Sequence, residues 1–193
     1  MADVTGEDWC GRDLAGQAYA RVAFTDVDMS EVRSEGATFT ECTFRGVRLN
    51  ASVHANAAFL NCTFSGCDLF DARLTECKLV GSTFTRCTFD AMQVVGGNWS
   101  FVGLASADLR RASFTGVRLR EADLTGARLQ GATLRDADLS GASLRGTQLA
   151  RCDLRGSDLS SVEPEHVALR GAIVTYEQAL AIAAALGLDI RAE

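Results

Sequence analysis

The sequence predicts an all-β solenoid, a rod of stacked coils made of parallel strands, ending in a short α-helix. Three observations predict it. Large apolar side chains recur every fifth residue from Trp9 to Val174, and of these 34 positions only Ser34, His54 and Pro164 are not apolar. A second column, two residues before each large one, holds small side chains such as Ala112, Ala122, Ala127, Ala132, Ala137 and Ala142. After Val174 the period stops and an alanine- and leucine-rich stretch with helix-capping residues begins.

A helix repeats its buried face every 3.6 residues and a strand every two, so a period of five belongs to neither. Chance does not hold one phase over so long a span, and the chain from Trp9 to Val174 is a single repeat array. Each unit reads small-inward, polar-outward, large-inward, then two polar-outward residues. Glycine is frequent at the last place, where a turn needs positive φ. A coil of such units turns a corner at each one and shares its core with the coils above and below. The organisation expected is an N-terminal lead-in over 1–8, the repeat array over 9–174 and a C-terminal helix within 175–193.

Six of the seven cysteines (Cys42, Cys62, Cys67, Cys77, Cys87 and Cys152) occupy the small inward slot. They are expected to be buried small hydrophobes rather than ligands or nucleophiles. None forms a CxxC pair, which argues against a zinc or thioredoxin-like site. There are two histidines, and no GxxxxGK[ST] or GxGxxG phosphate loop. No catalytic residues, cofactor or metal are expected, and the chain reads as a binder rather than an enzyme. A formal net charge of −6 disfavours direct nucleic-acid binding or a membrane surface. With no basic n-region or apolar run at the start, and no apolar stretch long enough to span a bilayer, the expectation is a soluble cytoplasmic protein.

The units Ala122-Asp123-Leu124-Thr125-Gly126 and Ala137-Asp138-Leu139-Ser140-Gly141 carry the pattern A-D-L-x-G. In them the chain resembles the pentapeptide-repeat family, over nearly all of its length and in one frame. The resemblance implies a right-handed quadrilateral β-helix with four units per coil. Residues twenty apart then lie above one another, and Phe24, Phe44, Phe64 and Phe84 fall in one column that Leu104, Leu124 and Leu144 continue. Stacked rings in adjacent coils favour such a run, which supports four units per coil separately. Ser34 and His54 also share a column. They are read as one local departure from the regular coil with His54 tipped outward, or next as a buried Ser–His hydrogen bond. About eight and a half coils at about 4.8 Å each give a rod about 40 Å long.

Thr175 and Gln178 have capping-box spacing, and Gly187 sits where a helix would stop. The stretch between is apolar nearly all round, so one protein surface does not bury it. One side is expected to cover the last coil. The other is expected to meet a second copy in a homodimer, through Leu180, Ala183, Ala184, Leu186 and Leu188.

The outward charges are uneven. The face centred on Met29, Leu49, Leu69, Phe89 and Leu109 carries Asp28, Glu31, Asp68, Asp71, Asp90 and Asp108, with Arg48 as its base over that span. Residues 1–108 hold fourteen acids against eight bases, whereas 109–160 hold six acids against nine arginines. Some arginines are expected to stack on acids one coil away: Arg110 on Asp90, Arg128 on Asp108, and Arg118 on Asp138.

An unbroken array, a Phe-rich N-terminal half, a Leu-rich C-terminal half and an apolar helix after the Pro-interrupted segment 161–167 resemble the fluoroquinolone-resistance branch of the family. That resemblance implies a dimeric rod that mimics duplex DNA and binds DNA gyrase, inhibiting it or protecting it from quinolones. The acidic stripe would stand for phosphates and the helix for the dimer contact. The competing reading is a pentapeptide-repeat scaffold with a different protein partner.

Overall fold

The structure, a computed structural model, describes residues 2–191. It is a right-handed quadrilateral β-helix followed by one helix, α1, over Tyr176–Ala185. Three faces carry parallel sheets. One stacks Ala2–Thr5, Val22–Thr25, Thr43–Arg45, Thr63–Ser65 and Thr83–Thr85. A second stacks Ala18–Ala20, Thr38–Thr40 and Ala58–Leu60, and a third runs from Arg33–Glu35 to Thr133–Arg135. The fourth is held by single bridges such as Asp28↔Arg48, Arg48↔Asp68 and Asp68↔Thr88. Every pairing is parallel at a register of twenty, as in Phe44↔Phe64 and Phe114↔Leu134.

Both inward columns form one continuous core. The phenylalanines stack as their spacing requires: ring centroids are 5.0 Å apart for Phe24 and Phe44, then 4.5 Å for Phe44–Phe64 and for Phe64–Phe84, with nearly parallel planes throughout. Tyr19, Phe39 and Phe59 make a second stack one face away. The array starts before the frame's first tryptophan. Ala2–Thr5 pairs in register with Val22–Thr25, because Val4 sits in the same five-residue phase and packs on the core.

Corners fall at the fifth residue of each unit, and almost all turn through positive φ. Glycine does this at no steric cost, but Ala51 (φ 53°), Glu121 (φ 53°) and Phe101 (φ 60°) do it too. From Gly6 to Gly171 three corner positions do not adopt it: Arg111, Ser161 and His166. Each lies where the ladder is disturbed. Around Pro164, which has no N–H to donate, Gly146 donates to His166 rather than to the residue before it, and the register recovers by Leu149 N–H to Ala168. Beside Arg111, the expected bonds of the Arg86, Phe89 and Ala91 amides to the next coil are missing among the described residues, as is that from Asp108 back to Cys87. The ladder is intact on both sides, at Phe84 N to Gly103 O (2.9 Å) and Ser113 N to Met92 O (2.9 Å). The opening is a cleft of about 740 Å³ floored by Phe84 and Phe89.

Ser34 and His54 do not form a bulge and His54 does not tip outward. Their strands pair in register, both side chains are buried, and Ser34 Oγ lies 2.7 Å from His54 Nδ1. His54 Nε2 lies 3.0 Å from Ser52 Oγ, which donates to the Leu49 carbonyl. A second serine in the small slot satisfies the other ring nitrogen, so the imidazole can stay in the core.

At the C-terminus Thr175 and Gln178 form the full capping box. Gln178 also donates through Nε2 to the carbonyls of Leu154 and Ser157, both at 2.7 Å, which pins the helix start to the last coil. Gly187 (φ 78°) ends the helix in a Schellman arrangement, with its N–H on Ala184 and that of Leu188 on Ala183. No residue of α1 is fully buried. Among the described residues no helix is long and apolar enough to cross a membrane.

Candidate partner-binding face

The repeat itself positions the acids of the stripe. In A-D-L-x-G the aspartate's side chain turns back and accepts the amide two residues on: Ser30 on Asp28 (3.0 Å), Phe70 on Asp68 (3.1 Å), Thr125 on Asp123 (3.0 Å) and Ser140 on Asp138 (3.1 Å). Asp28, Asp68 and Asp108 therefore hold the backbone with one oxygen and offer the other to their neighbours. Glu31 and Asp71 differ: they are corner residues at positive φ (57° and 51°), projecting from the rod's edge. Asp90 lies just before the next corner, exposed.

All six acids project from one side of the rod, and the structure pairs four of them with arginine. Arg48 reaches Asp28 at 2.6 Å, and its hydrogen bond, ahead of that from Ser30, holds the Asp28 carboxyl down at about 2. Arg110 grips Asp108 with two bonds of 2.8 Å while Arg128 adds a third contact at 2.9 Å. That grip keeps the Asp108 carboxyl below its ordinary range. Arg73 lies 3.4 Å from Asp71, and Arg111 lies 3.9 Å from Asp90. Asp68 accepts hydrogen bonds from Asn50 (2.9 Å) and Thr88 and makes no ion pair among the described residues. Glu31 makes none either.

One expected stack, Arg128 on Asp108, forms. Arg118 also stacks in register on Asp138, without an ion pair, whereas Arg110 does not meet Asp90. Arg110 turns to Asp108, two residues behind it on the same strand, because that geometry is bidentate, and Asp90 takes Arg111 instead. Asp138 takes its ion pair from Arg120, at 4.0 Å. The uncompensated negative charge is thus concentrated at Glu31 and Asp68. Between Asp68 and Asp71 stands Phe70, half exposed in a slot that holds Ser30, Asn50, Asp90 and Arg110 in the neighbouring coils of its column. The sequence reading passed over it, although an aromatic residue in an outward slot of the frame was the available signal.

At the far end of the rod, Leu169, Ala172, Val174, Ala179, Ile182, Ala183, Leu186 and Leu188 line a shallow apolar groove of about 260 Å³. Ala183, Leu186 and Leu188 of the expected dimer contact belong to it. Leu180 lies outside it, half-buried, and Ala184 lies outside it, exposed. Among the described residues no three His, Cys, Asp or Glu side chains gather as a metal site.

Comparison with known proteins agrees with this architecture. The family model for pentapeptide repeats (8 copies) matches residues 104–141 and 137–175, and that for a pentapeptide repeat region matches 37–114. The pentapeptide repeat protein MfpA of Mycobacterium tuberculosis is 40% identical over 93 residues, 48% of this chain and 51% of that protein. MfpA of Mycolicibacterium smegmatis is 45% identical over 56 residues, 29% of this chain and 27% of that protein. The matches thus span between about a quarter and a half of these relatives' length. Among solved structures, QnrB1, a plasmid-mediated fluoroquinolone resistance protein, superposes with a TM-score of 0.59 at 22% identity, over 98% of each chain, a likeness of fold. With a five-residue frame, square coils at a register of twenty and two family models covering 37–175 between them, the chain belongs to the pentapeptide-repeat family.

Proposed function

We propose that this protein binds DNA gyrase by mimicking duplex DNA, inhibiting the enzyme, protecting it from fluoroquinolones, or both. It acts by binding rather than turnover, as a cytoplasmic homodimer joined through the apolar groove at α1. It does not itself bind nucleic acid. The observation that carries the reading is the row of acids on one side of a rigid rod, with Phe70 among them. Similarity to MfpA over part of the chain gives it further support.

Magnitudes limit the mimicry to a patch. Duplex DNA carries one charge per about 1.7 Å, or about 24 along a rod of about 40 Å. A chain of net −6 with four of its stripe acids beside arginines does not reproduce that field along its length. Recognition therefore centres on Glu31, Asp68 and Phe70, with strong salt dependence.

The test is a supercoiling assay with purified gyrase and increasing amounts of the protein, with and without a quinolone. Inhibition, or relief of drug-induced cleavage, supports the reading. A supercoiling rate and a drug response both unchanged at saturating protein would reject gyrase, leaving the rod as a scaffold for another protein.

A further inference from the structure

The cleft beside Arg111 uncovers a cysteine. Of the six cysteines in the small inward slot, Cys42, Cys62, Cys67, Cys77 and Cys152 are buried as their position predicts, whereas Cys87 is partly exposed and lines the cleft. The reason is local. The amide of Asp108 no longer bonds the Cys87 carbonyl, and the neighbouring Phe89 and Arg86 amides are also released, so the coil that would cover Cys87 stands off.

Directly behind it, one coil earlier, is Cys67. The pairings Ser65↔Thr85 and Asp68↔Thr88 bracket the two cysteines in register, and Thr88 N–H bonds the Cys67 carbonyl at 3.0 Å. Their Cα atoms are thus about one strand spacing apart, about 4.8 Å. That falls inside the range of about 4.4–6.8 Å that a disulfide bridges. Cys42 and Cys62 are stacked in the same way, but both are buried, which makes them an internal comparison.

We propose that Cys87 and Cys67 are a modification site, oxidised by hydroperoxides to a disulfide that ties two adjacent coils together. In the first step the Cys87 sulfur attacks the terminal peroxide oxygen. The O–O bond breaks, the sulfur becomes a sulfenic acid, and the leaving oxygen departs as water, or as alcohol from an alkyl peroxide, after taking a proton. In the second, the Cys67 sulfur displaces the hydroxyl from Cys87 as water, forming the S–S bond. Two thiols lose two electrons and two protons, and one peroxide is reduced. The site's polarity matches this order: the Cys67 thiol, which donates to the Phe44 carbonyl (3.4 Å), is raised by its neighbour Cys87 and by burial, whereas the Cys87 thiol is lowered by its neighbour Cys67. Freedom on the cleft side lets the Cys87 coil make the small approach that the bond requires.

The experiment uses the full chain with Cys10→Ser, which removes the one fully exposed thiol and leaves six of the seven. It is treated with hydrogen peroxide under native conditions, and its free thiols are counted before non-reducing peptide mapping. The count should fall from six to four, with one linked peptide pair containing Cys67 and Cys87, restored by dithiothreitol. Adding Cys67→Ala, a residue this slot holds at Ala127 and Ala132, should abolish the link and leave a Cys87 sulfenic acid that dimedone traps. Retention of all six thiols, a Cys42–Cys62 link instead, or a Cys67–Cys87 link that forms only in denaturant each overturns the proposal. Because the readout is thiol chemistry, it is independent of gyrase binding.

Discussion

Nδ1 of His54 lies 2.7 Å from Oγ of Ser34, twenty residues and one coil away, with both side chains inside the core. Burial lowers the imidazole from its ordinary 6.5 to about 4. The unfolded chain therefore takes up a proton that the folded one refuses. Stability from this group is complete above about pH 6.5 and is lost as the pH falls towards about 4, by about 3 kcal/mol in all. Urea midpoints measured between pH 7 and pH 4 should fall accordingly. His54→Leu, matching Leu14 and Leu74 of its column, should flatten that slope; an unchanged slope would mean that the buried imidazole is not its source.

The stack through Phe64 is expected to carry unequal costs for two substitutions. Phe64→Ala removes a ring held between Phe44 and Phe84 at 4.5 Å on each side and should cost about 3–5 kcal/mol. Phe64→Leu keeps most of the volume and copies Leu104 of the same column, so about 1.5 kcal/mol or less is expected. Equilibrium denaturation of the two variants checks the ratio.

Positive φ predicts opposite signs at a corner, Ala51, and at a small inward position, Gly97. Ala51 turns through φ 53° with a Cβ, and Ala51→Gly should gain about 1 kcal/mol. Gly97 turns through φ 87°, and a Cβ there would stand 2.2 Å from the Cys77 carbonyl oxygen, which is backbone and cannot swing aside. Gly97→Ala should lower the melting temperature where Ala51→Gly raises it.

For partner binding, Arg48→Ala should tighten the complex with gyrase several-fold at low salt, because it releases Asp28 from its cation and leaves it beside the unpaired Asp68. Phe70→Ala should weaken it, and so should lysine at Glu31, Asp71 and Asp90 together. These three make no backbone turn through their carboxylates, unlike Asp28, Asp68 and Asp108, so the fold survives the reversal. Titration by surface plasmon resonance at two salt concentrations separates the charge effect from the aromatic one.

The dimer contact has its own test. Leu186→Asp with Leu188→Asp charges the groove at two half-exposed leucines and should leave a monomer by light scattering, with the far-ultraviolet β signal unchanged. A wild-type chain that is itself monomeric at micromolar concentration would remove the dimer from the reading.

The core was legible in the sequence because inward burial imposes a strict period that side chains cannot evade. A five-residue phase and a column of phenylalanines at a spacing of twenty were enough to place Phe44 on Phe64. Which arginine meets which aspartate was not legible. A guanidinium on a long stem chooses among acids on its own strand and on two neighbours, and Arg110 chose Asp108 behind it. Nor was the cleft. Arginine occupies corners at Arg21, Arg86 and Arg151 with positive φ, so nothing in the residue type marks Arg111 as the one that turns otherwise. The exposure of Cys87 follows from that turn and stayed hidden with it.

The opening beside Arg111 has a mechanical consequence. In a solenoid each coil is coupled to its neighbours alone, so cooperativity passes along the axis one interface at a time. Where four successive ladder bonds are missing that coupling is weak, as it is again between residues 139–144 and 158–163 beside Pro164, and the Phe-stacked block before the Arg111 opening and the Leu-packed block after it become separable folding units. Unravelling that begins at the α1 end should pause there, with the N-terminal block still wound. In hydrogen exchange the amides of Arg86, Phe89, Ala91 and Asp108 would mark the seam as a line of early exchange between protected coils on either side.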